Sequence, residues 1–206
     1  MLALAEHKKC SAVILAGGQN SRMGGRNKAF IKIGGKTILQ RLLEILRDLF
    51  AEIVLVTRHP AEYQGLGLVI VEDMFPQRSS LTGLHAGLTQ CSGDFAFVVP
   101  CDAPFIQTEL VRILLQEIEQ NYDVITPEVK GYYQPLCAVY SKRCLHFIEA
   151  QLQANDFKIV HFFYHLLVKT IEEKRIRDAD PTLYSFLNVN TPAEQEASQR
   201  ILDQYP

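Results

Sequence analysis

The apolar run SAVILA (Ser11–Ala16) leads without a break into Gly17-Gly18. Such a short β-rich run, with no alternating polar positions, predicts a strand covered on both faces. A strand of that kind belongs in a parallel sheet with helices on each side. The two glycines then open a tight turn at the strand's carboxyl end, the edge at which open α/β sheets bind ligands. With no Cβ, glycine accepts positive φ and lets backbone N–H groups come close to a bound molecule.

The loop that follows carries charge. LAGGQNSRMGGRNK (Leu15–Lys28) holds four glycines, two arginines and a lysine in fourteen residues. Arg22 and Lys28, with Arg26 as a further candidate, match the charge of a polyphosphate. The two common phosphate loops fail on spacing. A P-loop requires GxxxxGK[ST], but five residues after Gly18 stands Met23; a dinucleotide fingerprint requires GxGxxG, and Gln19 breaks it. A surface loop with solvated charges is the plain alternative, and the buried strand feeding the loop argues against it.

The rest of the chain continues the alternation. TILQRLLEILRDLF (Thr37–Phe50) sets Ile38, Leu42, Ile45, Leu46 and Leu49 on one helical stripe. EIVLVT (Glu52–Thr57), LVIVED (Leu68–Asp73), DFAFVVPCD (Asp94–Asp102) and DVIT (Asp123–Thr126) read as strands, with helices expected over residues 81–91 and 107–120. YYQPLCAVY (Tyr132–Tyr140) reads as an antiparallel strand, and residues 142–167 as helical and rich in aromatics. LYSFLNV (Leu183–Val189) is expected to be a last strand. The final helix starts at Thr191-Pro192, where Glu194 completes a capping box. The fold class expected is therefore α/β: a single Rossmann-like three-layer domain over residues 1–206, with a mostly parallel sheet. Its C-terminal half carries an antiparallel and helical insertion, residues 127–180, as a lid or second-substrate region.

Composition narrows the function classes. A chain of 206 residues with 48% hydrophobic residues can bury a full core, and its net charge of −2 offers no global field for nucleic acid or an anionic membrane. No apolar run approaches the roughly 20 residues of a membrane span. The N-terminus MLALAEHKKC lacks the pattern of a signal peptide. Five cysteines without a CxxC pair suit reduced thiols and a cytoplasmic location.

Read as LAGGxSxRMGxxK after an N-terminal strand, the glycine loop resembles the signature of the molybdenum cofactor guanylyltransferases, the MobA-like branch of the small nucleotidyltransferases. TRHPAEY (Thr57–Tyr63), VIVED (Val69–Asp73), VPCDAPFI (Val99–Ile106) and NVNTPAE (Asn188–Glu194) resemble further motifs of that family, in order and over nearly the whole chain. The resemblance implies transfer of GMP from GTP to the terminal phosphate of molybdopterin, with release of pyrophosphate. It implies GTP and molybdopterin as ligands, Mg²⁺ as the metal, and molybdoenzymes or cofactor-handling proteins as partners downstream.

By the same resemblance, Leu15, Ala16, Gly17, Gly18, Arg22, Lys28, Asp73 and Asp102 are nucleotide-binding residues. Lys28, Arg22 and Asp102 are the catalytic set, and Asp102 is the metal ligand. Asn188, Asn190 and Gln134 would serve the second substrate. Each has a structural alternative: a turn or cap acid for Asp102 before Pro104, an Asx turn for Asp73, a turn before the last helix for the asparagines. On a strand, Asn188 and Asn190 would point to opposite faces, so only one is expected to line the site.

LAGG goes with guanine in the family and LAAG with cytosine, so Leu15–Gly18 favour guanine. Three departures keep other readings open. Ser79-Ser80-Leu81-Thr82-Gly83 stands where GPLAG is usual, Leu55-Val56-Thr57 where an asparagine often follows, and Asn27 where an aspartate usually precedes the lysine. A transferase using CTP or a sugar or small-alcohol phosphate is one alternative. A non-catalytic nucleotide-binding partner of cofactor insertion is another. His161 and His165 have metal-ligand spacing on an expected helix, but HFFYH lacks the glutamate of HExxH, and one histidine on each side of an aromatic core stripe is expected. Cys101 has no evident base nearby and is expected to pack.

Overall fold

The computed structural model describes residues 10–18, 27–73, 75–118 and 121–204. Its centre is an eight-stranded sheet. Strands β1 (Cys10–Leu15), β4 (Ile53–Thr57), β5 (Val69–Glu72) and β6 (Phe95–Pro100) are joined in parallel, β1 lying between β4 and β6. Beyond β6 come β9 (Ala138–Ser141), antiparallel, then β7 (Val124–Val129) and the edge strand β10 (Val168–Ile171), with β8 (Tyr132–Tyr133) paired to β7. A small antiparallel pair, β2 (Lys32–Ile33) and β3 (Lys36–Thr37), sits apart. Residues 127–180 thus supply β8, β9, β10 and the end of β7 to the central sheet.

Period-2 alternation along β1 sorts the core. Ala12 and Ile14 face one side, against α1 (Ile38–Leu49), α3 (Thr108–Gln116) and α5 (Glu173–Ala179). Val13 faces the other, against α2 (Ser80–Gln90), α4 (Leu145–Gln153) and the 3₁₀ segment Ile159–His165. This is the three-layer α/β arrangement expected. Helix α1 starts where expected because Thr37 and Gln40 form a reciprocal capping box. The final helix α6 (Pro192–Gln204) has Thr191 and Glu194 paired at its start.

Chain order and sheet order disagree at β1, and that disagreement places the site. From β1 the chain moves outward through β4 and β5, then returns to add β6 on β1's other side. The strand order reverses at β1, and a crevice opens there between the carboxyl ends of β1 and β6.

Three expectations are corrected. LYSFLNV is not a strand: Leu183 takes a left-handed φ of 59°, and Tyr184–Phe186 form a 3₁₀ turn. The cause is Asp180, buried, whose carboxylate collects the backbone N–H groups of Tyr184 and Ser185 and the Thr182 hydroxyl. YYQPLCAVY is two short strands, not one. Between them Cys137 N–H donates to the Gln134 carbonyl at 2.9 Å and the Tyr140 hydroxyl takes the Pro135 carbonyl at 2.6 Å. His161 and His165 lie on a 3₁₀ turn, where residues three apart, not four, align. His161 pairs with Asp156 at 2.6 Å and His165 stacks on Phe147. No cluster of three or more metal-ligating side chains occurs among the described residues. Nor is any helix among them long and apolar enough to cross a membrane.

Candidate active site

The crevice is a cleft of about 390 Å³ at the carboxyl edge of β1 and β6. Leu15, Gly17 and Gly18 form one wall; Pro100, Cys101 and Asp102 form the wall that leaves β6. Among the described residues, a Cβ on either glycine would meet nothing within 4 Å. Ala16 anchors the turn instead of lining it. Its N–H donates to the Val56 carbonyl and its own carbonyl accepts from the Thr57 hydroxyl.

At one end of the cleft three expected residues meet. Lys28 Nζ lies 3.2 Å from Asp102 Oδ2 and 2.5 Å from Asn190 Oδ1. The 3₁₀ turn Lys28–Phe30 fixes the lysine's backbone, and Asn27 caps that turn by accepting from Ala29 N–H. Asp102 is held from behind, its carbonyl accepting from Val189 N–H at 2.8 Å. Burial pushes the Asp102 carboxyl above the usual range, and Lys28 opposes that shift. Its second oxygen, Oδ1, is buried and without a hydrogen-bond partner among the described residues. A lone pair left bare in this way is a place for a hard cation or an added donor.

At the other end stand Asp73, Arg78, Ser79, Ser80 and Gly83, with Val56 on the wall. Asp73 is buried. Its Oδ1 accepts from Phe75 N–H at 3.2 Å, which is the Asx turn, and its Oδ2 accepts from the Thr82 hydroxyl at 2.8 Å. The turn and the cleft position therefore coexist in one residue. Arg58 Nη2, 3.7 Å from Asp73 Oδ2, also donates to the carbonyls of Phe75 and Gln77.

Asn188 and Asn190 both line the cleft, contrary to the expectation that only one would. The segment is not a strand, so strand alternation does not apply. Gln134 is not among the lining residues; its amide donates to the Tyr132 carbonyl, and Leu136 lines the cleft in its place. Arg22 and Arg26, with the N-terminal segment 1–9, lie outside the described residues. Arg78 and Ser79 escaped the sequence as site residues; their position just before a helix at the same edge was the available signal. Cys101 lines the cleft, but burial pushes its thiol up to about 12, which keeps it neutral and suited to packing.

Asn27 and Thr82, two of the departures, are used by the fold. The Asn27 amide donates to Glu62 Oε2 at 2.6 Å and to the Tyr63 hydroxyl at 2.8 Å. An aspartate could donate neither bond, and could only accept from the Tyr63 hydroxyl, as Asn27 Oδ1 does at 3.2 Å. Thr82 is the residue that holds Asp73.

Comparison with known proteins gives one consistent result. The family model for the MobA-like NTP transferase domain matches residues 12–166. The chain is 40% identical over 189 residues to a molybdenum cofactor guanylyltransferase of Desulfosudis oleivorans, covering 92% of this chain and 94% of that protein. It is 35% identical over 192 residues to a probable molybdenum cofactor guanylyltransferase of Clostridium perfringens, covering 91% and 95%. Among solved structures, it resembles the molybdopterin-guanine dinucleotide biosynthesis protein A of Archaeoglobus fulgidus, with a TM-score of 0.82 at 25% identity, over 94% of this chain and 99% of that one.

Proposed function

The chain belongs to the MobA-like NTP transferase family, and we propose that it transfers GMP from GTP to the terminal phosphate of molybdopterin, forming molybdopterin guanine dinucleotide. The observation that carries this reading is the division of labour within one cleft. Lys28, Asp102 and Asn190 gather at one end, and Asp73 with Ser79 and Ser80 stands at the other.

The chemistry asks for no protein nucleophile. A terminal phosphate oxygen of the pterin attacks the α-phosphorus of GTP in line. The bond from that phosphorus to its bridging oxygen breaks, and the electron pair leaves on pyrophosphate. Two anions must be brought together, so positioning and charge neutralisation dominate the barrier. The Lys28 ammonium neutralises the triphosphate and the leaving pyrophosphate. Gly17 and Gly18 let the nucleotide rest against bare backbone. Asp73, a buried acceptor, suits a base edge that presents N–H donors, as guanine does. Asn188 and Leu136 leave the opposite side of the cleft for the pterin.

Mg²⁺ is the metal of this reading, and the residues fit it: Asp102 offers an unpartnered buried oxygen, with the Asn190 side chain beside the same lysine. Magnesium uses few protein carboxylates and keeps several waters, which agrees with a single acid here. Such an ion, when bound, neutralises phosphate charge and polarises the phosphoryl oxygens. The product would pass to molybdoenzymes or cofactor-handling proteins in the cytoplasm.

Calorimetry with GTP, CTP and ATP, each with and without Mg²⁺, followed by a pyrophosphate-release assay with molybdopterin, tests this reading. Selective, Mg²⁺-dependent GTP binding with release of pyrophosphate is the expected result. Preference for CTP would overturn the guanine assignment, and binding and turnover indifferent to the ion would overturn the metal.

A further inference from the structure

Asp73 can discriminate between bases only if its carboxylate is held in one orientation, because a carboxylate free to rotate accepts from many donors equally. The side chain that donates a hydrogen bond to it is Thr82, on the first turn of α2, while Arg58 Nη2 lies 3.7 Å from the same oxygen. Thr82 is fully buried and does not line the cleft, so it touches no nucleotide.

Its hydroxyl has a single hydrogen and two acceptors in reach, Asp73 Oδ2 and the Ser79 carbonyl, both at 2.8 Å. The charged acceptor makes the stronger bond and takes the hydrogen. The Thr82 oxygen is left to accept, and the Ser79 N–H approaches it at 3.4 Å. In return Ser79 Oγ accepts from Thr82 N–H at 3.1 Å, completing a capping box in which a threonine stands in the position usual for glutamate or glutamine. A chain of hydrogen bonds thus runs from the backbone of Ser79, which lines the cleft, through Thr82 to Asp73, which also lines it. The other Asp73 oxygen is tied to Phe75 N–H. Each oxygen accepts one hydrogen bond, Arg58 Nη2 stands 3.7 Å from Oδ2, and the remaining lone pairs have a fixed direction.

We propose that Thr82 is a positioning residue for base selection: its hydroxyl sets the Asp73 carboxylate as an acceptor for the N–H edge of a guanine base. This rests on the reading of Asp73 given under Proposed function.

The test compares GTP with inosine triphosphate, which keeps the ring N–H of guanine and lacks its exocyclic amine. Binding and turnover are measured for the wild type, Thr82→Ala, Thr82→Ser and Thr82→Val, with thermal unfolding of each. The expected result is a loss of about tenfold in GTP affinity for Thr82→Ala, the order expected for losing a hydrogen bond to a charged group. The loss for inosine triphosphate is smaller, so the preference between the two narrows. KM rises more than kcat falls. Thr82→Ser restores the preference, and Thr82→Val, similar in shape without the hydroxyl, behaves as Thr82→Ala. Equal losses on both nucleotides, or a wild-type preference that survives in a folded Thr82→Ala protein, would overturn the proposal and leave the proposed function standing. A wild type with no preference for GTP over inosine triphosphate would overturn this proposal alone, and one with no preference for GTP over CTP would overturn both.

Discussion

The ammonium of Lys28 and the amide oxygen of Asn190 meet at 2.5 Å although 162 residues separate them in the chain. The contact closes one end of the cleft, where Asp102 joins the same lysine from β6. Lys28→Ala and Asp102→Ala are each expected to lower kcat by about a hundredfold or more, the size of effect seen when a preorganised charge is removed from a transition state. Asn190→Ala removes the lysine's second partner and should cost about tenfold. Single-turnover kinetics at saturating GTP measures all three, and a Lys28→Ala protein with unchanged kcat would contradict the assignment.

Helix α2 lies against the sheet through a glycine. A Cβ on Gly87 would stand 2.4 Å from Val13 Cγ1 and 3.3 Å from a Val56 methyl, and Val13 is fully buried with a stiff branched side chain. Gly87→Ala should therefore destabilise by about 1–3 kcal/mol through overpacking. The usual gain of alanine in a helix, about 0.5–1 kcal/mol, does not offset this. Denaturant unfolding measures the difference, and a more stable Gly87→Ala protein would show that the helix shifts freely.

The Asn27 amide faces the Glu62 carboxylate. Asn27→Asp would replace an amide donor, 2.6 Å from a carboxylate oxygen, with a second carboxylate. The expected loss is about 1 kcal/mol or more. Adding Glu62→Gln restores a donor to the pair, so the double variant should recover most of it. A cycle in which the two changes simply add would remove the proposed coupling.

Glu52 ties β4 to the loop before β6. Burial alone would raise its pKa, but hydrogen bonds from Ser11 and from the Ser92 backbone and hydroxyl outweigh burial, so its carboxyl lies below the ordinary 4.5. The folded chain thus holds this proton less tightly than the unfolded chain. The stabilisation is fully present above the ordinary value and is lost as pH falls through the lowered one. Unfolding of the wild type and Glu52→Gln between about pH 7 and about pH 3 should show the wild type's advantage shrinking toward acid. A difference that does not vary with pH would refute this.

Much of this protein is written in local pattern. The buried strand ending in Gly17-Gly18, the stripe of α1 and the Thr191–Glu194 pair at the start of α6 follow from periodicity and side-chain chemistry within a few residues of each other. Asp102 and Asp73 were legible because each ends a strand, and strand ends of an α/β sheet meet at one edge. The tertiary structure decided what depends on distant partners. Asp180 gathers the donors of 182–185 and so prevents a strand there. That turn brings both asparagines of NVN to the cleft instead of one. Pairing of residues 138–141 between β6 and β7 makes the middle of the sheet antiparallel. The Thr82–Asp73 bond joins a helix start to a strand end. The physical reason is the same throughout: periodicity reports which face of an element is buried, whereas a hydrogen bond between separate segments exists only after folding has brought its two groups together.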